Sequence, residues 1–179
     1  MIRPIVIYGD PVLREISVDV PKDSKLDIHS LTNDMFETMH RANGVGLSAV
    51  QIGILARIFV VEAHLKEENF HFRGVFINPR ITKEWGDSIK HPEGCLSIPL
   101  LTAVVDRPEN IELEWYDEDW EYHKETFSGF KARIIQHEYD HLEGKLYIDD
   151  LDKMWGKMIE HPLQQIKNRE IEIPYLWKK

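Results

Sequence analysis

A chain of 179 residues, 42% hydrophobic and 30% charged, carries enough apolar content for one core and too little length for two, which predicts a single domain over 1–179. Its formal net charge of −9 excludes a broad basic footprint for nucleic acid or an anionic membrane. A single cysteine excludes a disulfide framework and fits a reducing compartment.

The opening MIRPIVIYGDPVL is apolar, but Pro4 and Gly9-Asp10-Pro11 interrupt it, so it reads as neither signal peptide nor membrane span. A cytoplasmic location is the expectation. Ile28, Leu31, Met35, Met39 and Ala42 recur at three- or four-residue steps and predict a helix over 25–42, stopped by Asn43-Gly44. GVGLSAVQIG follows; it has neither the G-x-G-x-x-G spacing nor the lysine of a phosphate-cradling loop. ARIFVVEA and RGVFINPRI read as strands from their β-branched and aromatic content. LTAVVDRP and NIELEWYDE read as a hairpin turning at Pro108-Glu109-Asn110, and EYHKETFSG as a further strand.

Then the period changes. Ala132, Ile135, Tyr139 and Leu142 form a helical stripe, with Ser128 placed to cap its start and Gly144 to end it. The tail suggests short helices at 150–160 and 163–168, then a closing strand in EIEIPYLW. The fold class expected is α+β, with antiparallel β-sheets packed around the central helix.

That helix carries QHEYDHLEG, 136–144. His137 and His141 are four apart, so both can reach one metal ion, with Glu138 beside its open side as a general base. Two histidines and a glutamate on a solvated helix is the bland alternative. A catalytic site of this kind takes three protein ligands and a water, so a third ligand is needed. One metalloprotease class places a histidine six residues after the second; here that position is Tyr147. Glu160 is a further option. Cys95, in the EGCLS stretch at 93–97, is the stronger candidate, because a thiolate binds first-row metals well.

GVGLSAVQIG, EGCLS and QHEYDHLEG, in this order, resemble the three signature motifs of the peptide deformylase family, and the likeness runs from YGDPVLR to about 150. The resemblance implies hydrolysis of the N-formyl group from the initiator N-formylmethionine of new polypeptides, releasing formate. It implies Cys95 as the third metal ligand beside His137 and His141, and iron(II) as the ion, replaceable by zinc, nickel or cobalt. Glu138 becomes the acid–base residue, and the Gln51 side chain and the Leu96 N–H become the oxyanion donors. The Val45-Gly46 backbone would pair with an extended substrate. Val45, Phe130 and Ile134 would wall the methionine pocket, with plain core packing as an equal alternative for all three. Glu93 and Arg107 match positions that support the cysteine turn, as an ion pair. The implied partners are formylmethionyl nascent chains, with no direct nucleic-acid or membrane binding expected and transient ribosome contact left open. His91 reads as an ordinary surface residue.

Some positions depart from the family pattern. Ser48 and Val50 stand where Ala and Pro are frequent, Leu100 where glycine is common, and Thr102 where some members carry arginine. Arg133 holds a helix position that is often apolar near the methionine pocket; it either points to solvent or favours an acidic or polar group further along the substrate. Two rival readings share the histidine motif. A metallopeptidase would keep its metal without Cys95, and a non-catalytic metal-binding or ribosome-associated protein would need neither Gln51 nor Glu138.

Overall fold

The computed structural model describes residues 1–65, 70–149, 151 and 153–179. Its frame is a five-stranded antiparallel sheet in which strands pair in sequence order: β1 (Gly46–Ser48), β2 (Ile58–Leu65), β3 (Phe70–Cys95), β4 (Ile98–Tyr116) and β5 (Tyr122–Ser128). Helices α1 (Ile28–Arg41), α2 (Gly129–Leu142) and α3 (Lys153–Lys167) pack on it.

The strand in ARIFVVEA owes its unbroken apolar run to burial on both faces. Ile58 and Val60 join the α1 core with Met35 and Met39, while Phe59, Val61 and Ala63 join the α2 core with Ala132, Ile135 and Leu142. Alternate side chains of a strand point to opposite faces, so one run serves two layers. Asp27 starts α1 by accepting from the Ser30 N–H at 3.0 Å. Ser128 does sit at the N-cap of α2, but its side chain makes no capping hydrogen bond. There the chain turns from strand to helix through Gly129, at φ 59. Gly144 ends the motif helix at φ 68, where a Cβ would lie 2.5 Å from the Arg14 carbonyl oxygen.

The hairpin predicted at Pro108-Glu109-Asn110 is absent. β4 runs straight through it, with Pro108 opposite Ser88 and Asn110 opposite Trp85. β5 joins β4 only from Asn110 onward, so β4 has an open edge at Pro108, where a missing donor is tolerated. The real turn is inside EGCLS: Cys95 pairs with Ile98 across Leu96-Ser97. β3 therefore extends well past RGVFINPRI, through 82–95, whose polar residues and register shifts hide it from a periodicity argument.

In the tail, one helix replaces the two predicted; the expected start at 150 lies outside the described residues. Pro162 sits inside α3 and removes a backbone donor, yet the helix holds through buried Ile159 and Ile166. EIEIPYLW is not a strand. A single parallel bridge joins Ile5 and Trp177, with Ile5 N–H donating to the Leu176 carbonyl at 3.0 Å. Pro174 lacks the donor a longer ladder would need. No helix among the described residues is long and apolar enough to cross a membrane.

Candidate active site

α2 and the β3–β4 turn face each other across a small gap. The helix puts His137 and His141 on one side, and the tight turn holds Cys95 opposite. Cys95 Sγ lies 3.2 Å from His141 Nε2, and one ligand atom from each of Cys95, His137 and His141 lies within 4.8 Å of the others. His137 Nδ1 donates to Glu93 Oε2 at 3.0 Å, leaving its Nε2 for the cysteine side. Such carboxylate–histidine contacts fix the tautomer of a metal ligand. Burial and the neighbouring His137 push His141 well below the usual histidine pKa. Burial opposes the protonation of His137, but hydrogen bonds to Cys95 and Glu93 carry it well above. Two imidazoles and a thiolate in mutual reach, with no fourth protein ligand beside them among the described residues, fit a first-row metal ion with one position open.

Glu93 is buried and saturated. Arg107 donates to it twice, at 2.7 and 3.0 Å, Arg133 at 2.7 Å, and His137 as above. Burial would raise its pKa, and the bonds from His137 and Arg107 instead hold it far below the carboxylate range. Arg107 also reaches Asp140 on α2 at 2.7 Å, tying the cysteine hairpin to the motif helix. Arg133 corrects the first expectation for it. It is buried and bonded to Glu93 and to the carbonyls of Val105 and Ile89, so it does not point to solvent, though it lines the active-site cavity.

Glu138 is buried among the same groups. Burial raises its pKa, against the opposing pull of His137 and of Ser48, whose Oγ donates to Oε2 at 2.7 Å. Gly46 is needed here: a Cβ would lie 2.4 Å from Glu138 Oε1. Gln51 Oε1 accepts from Ser48 N–H at 2.8 Å, which aims Nε2 at Ser97 Oγ, 3.1 Å away, and at Cys95 Sγ, 3.5 Å away.

Gly46, Gln51, Glu93, Cys95, His137 and Glu138 line a cavity of about 510 Å³, together with Val45, Leu96, Phe130 and Ile134. Val45 and Phe130 are exposed there, while Ile134 is buried and also packs in the α2 core, so it serves both readings. Ser48 and Val50 do not line the cavity; Thr102 does. Leu100 stands at its rim with φ 66, a left-handed backbone that explains a preference for glycine at that position. His91 is exposed, as a surface residue would be. Pro174 and Tyr175 were not foreseen: the tail lines the cavity, and Tyr175 OH donates to the Leu96 carbonyl at 2.6 Å. Only the odd Pro-Tyr within an alternating stretch hinted at this.

A family model described as polypeptide deformylase matches residues 2–156. The chain belongs to the peptide deformylase family. The peptide deformylase of Cytophaga hutchinsonii is 44% identical over 180 residues, covering 99% of this chain and 97% of that one. The crystal structure of peptide deformylase from Thermus thermophilus superposes with a TM-score of 0.84 at 37% identity, covering 94% of this chain and 99% of that one. A peptide deformylase from Acinetobacter baumannii, crystallised with Met-Ala-Ser bound, has a TM-score of 0.78 at 30% identity and covers 84% and 99%. Peptide deformylases are metal-dependent hydrolases that remove the N-formyl group from nascent polypeptides, and that is this chain's activity. Pro174 and Tyr175 fall outside the matched residues 2–156.

Proposed function

We propose that the whole chain, 1–179, works as one deformylase domain whose metal is held by Cys95, His137 and His141, with iron(II) the working ion and zinc, nickel or cobalt able to replace it. The observation that carries the reading is the buried Glu138 carboxyl, raised in pKa, which shares one cavity with Cys95 and His137 of that donor set. When bound, the ion supplies Lewis acidity, enough in such sites to bring the pKa of a water from 15.7 to about 7.

An amide carbon is a poor electrophile, so the protein must supply proton transfer and oxyanion stabilisation. Glu138 takes the proton of the attacking water and hands it to the departing nitrogen. Burial, which raises its pKa, favours the protonated form that hands the proton on. Gln51 Nε2 and the Leu96 N–H donate to the oxyanion; removing one such donor typically costs about 10²–10³ in rate. β1 is an edge strand, which supports an extended substrate pairing with the Val45-Gly46 backbone while Val45, Phe130 and Ile134 receive the methionine side chain. Glu93, clamped by Arg107 and Arg133, orients His137. A substrate met as a nascent chain makes the cytoplasm the place of action and ribosome contact transient.

The test is formate release from formyl-Met-Ala-Ser by protein prepared without oxygen and loaded in parallel with iron(II), nickel or zinc. Release that is fastest with iron and lost in Glu138→Ala is expected. Undiminished release by Glu138→Ala, or retention of metal by Cys95→Ala, would overturn the assignment.

A further inference from the structure

A second cluster of metal-ligand side chains lies away from the cavity. On the β2–β3 ladder Glu62 pairs with Arg73 and His64 with His71, and since residues two apart share a face, all four meet on one side of the sheet. The His64 and His71 rings stack with centroids 4.2 Å apart. Both turn Nε2 to the same oxygen, Glu62 Oε1, at 3.2 and 3.5 Å. The other oxygen, Oε2, is engaged separately by Arg73 and by His40 Nε2 at 3.0 Å. None of these residues lines the active-site cavity.

We propose that Glu62, His64 and His71 bind a divalent transition-metal ion such as zinc, independently of the catalytic centre. The donor atoms lie within 4.8 Å of one another. Bonds of about 2.0–2.2 Å from zinc to nitrogen and oxygen place tetrahedral ligands about 3.3–3.6 Å apart, close to the 3.2 and 3.5 Å from Glu62 Oε1 to the two imidazoles. An ion between them takes over the two contacts to Oε1 without disturbing Oε2. Arg73, whose guanidinium also sits 3.5 Å over the Phe36 ring, keeps the carboxylate oriented from the other side. Glu62 supplies the anionic ligand, with Oε1 facing both imidazoles. The ligands differ in access. The Glu62 side chain is 12% exposed, while His64 and His71 are 62% and 55% exposed, so the fourth position opens to water.

The experiment uses nickel-loaded enzyme at neutral pH, freed of excess metal and titrated with zinc against a chromophoric chelator, with nickel content measured before and after. One zinc equivalent per chain with nickel retained is expected. The His64→Ala/His71→Ala variant loses that equivalent and keeps its formyl-peptide hydrolysis, and His71→Ala alone weakens zinc binding by at least the roughly 10–100-fold typical of losing an outer-sphere partner. Zinc uptake matched by nickel loss, or equal uptake by wild type and double variant, would overturn the site. Should the variant misfold, anomalous scattering at the zinc edge from wild-type crystals decides: a peak among Glu62 Oε1 and the two Nε2 atoms supports the site, and its absence refutes it.

Discussion

The Ser48 hydroxyl donates to Glu138 Oε2 at 2.7 Å and lies 2.9 Å from the Glu138 carbonyl, so a residue ninety positions earlier in the chain holds the carboxyl proposed as general base. Burial raises the Glu138 pKa, and this bond favours the ionised form against it. Ser48→Ala removes the opposing pull and raises the pKa further. A base works ionised, so the acidic limb of the kcat/KM profile is expected to move to higher pH. An unmoved limb, measured from pH 5 to 9, would rule out this role for Ser48.

Gly46→Ala puts a Cβ where Glu138 Oε1 and Cδ now stand, at 2.4 and 2.8 Å. The carboxylate is the movable partner, so it shifts by about an ångström, a misplacement that can cost about 10² in rate. The expected result is a kcat at least about 100-fold lower in a protein that still folds and binds one catalytic metal. Elemental analysis alongside kinetics separates this outcome from simple loss of the ion.

Glu93→Gln leaves Arg107 and Arg133 buried without their shared carboxylate. Breaking a buried charge cluster by removing one partner typically costs about 3–5 kcal/mol, and urea unfolding of the metal-free protein should register a loss of that size. Metal affinity is expected to fall about 10–100-fold as His137 loses its orienting partner. The pH sign also follows. The folded pKa of Glu93 lies below the ordinary 4.5, so its stabilisation is complete above that value and is lost as pH falls below 4.5 toward the folded pKa. Wild-type stability should drop over that acid range more steeply than that of the variant.

Leu100→Gly relieves a left-handed backbone at φ 66 and gives up little packing, because the leucine is 76% exposed. The left-handed conformation costs a non-glycine residue roughly 1–2 kcal/mol, and glycine's freer unfolded chain returns about 0.4–1 of it. A net gain of about 0.5–1 kcal/mol is expected from thermal unfolding. Equal or lower stability would mean that Leu100 makes rim contacts that offset the strain.

The resemblance of three motifs pointed to deformylase chemistry before any coordinate was known, and the residues themselves supplied His137, Glu138 and His141. A helix converts a spacing of four into one face by local geometry alone. β2 was equally legible, since a short apolar run rich in β-branched residues is a local signal, and so was the stop at Asn43-Gly44. The turn that presents Cys95 was not. Pro108-Glu109-Asn110 carries stronger turn chemistry than Leu96-Ser97, and only the pairing of β3 along β4, from Ile98 to Tyr116, decides between them. The solvent-facing option for Arg133 fails for the same reason: its partners, Glu93 and the carbonyls of Ile89 and Val105, come from two strands. Tyr175 reaches Leu96 across 79 positions, and Ser48 reaches Glu138 across 90. The sequence by itself determined which side chains could do the chemistry, because ligand spacing and helix period are short-range properties. What holds those side chains in place was decided by the tertiary structure, because hydrogen bonds and ion pairs between distant segments exist only once burial has brought the segments together.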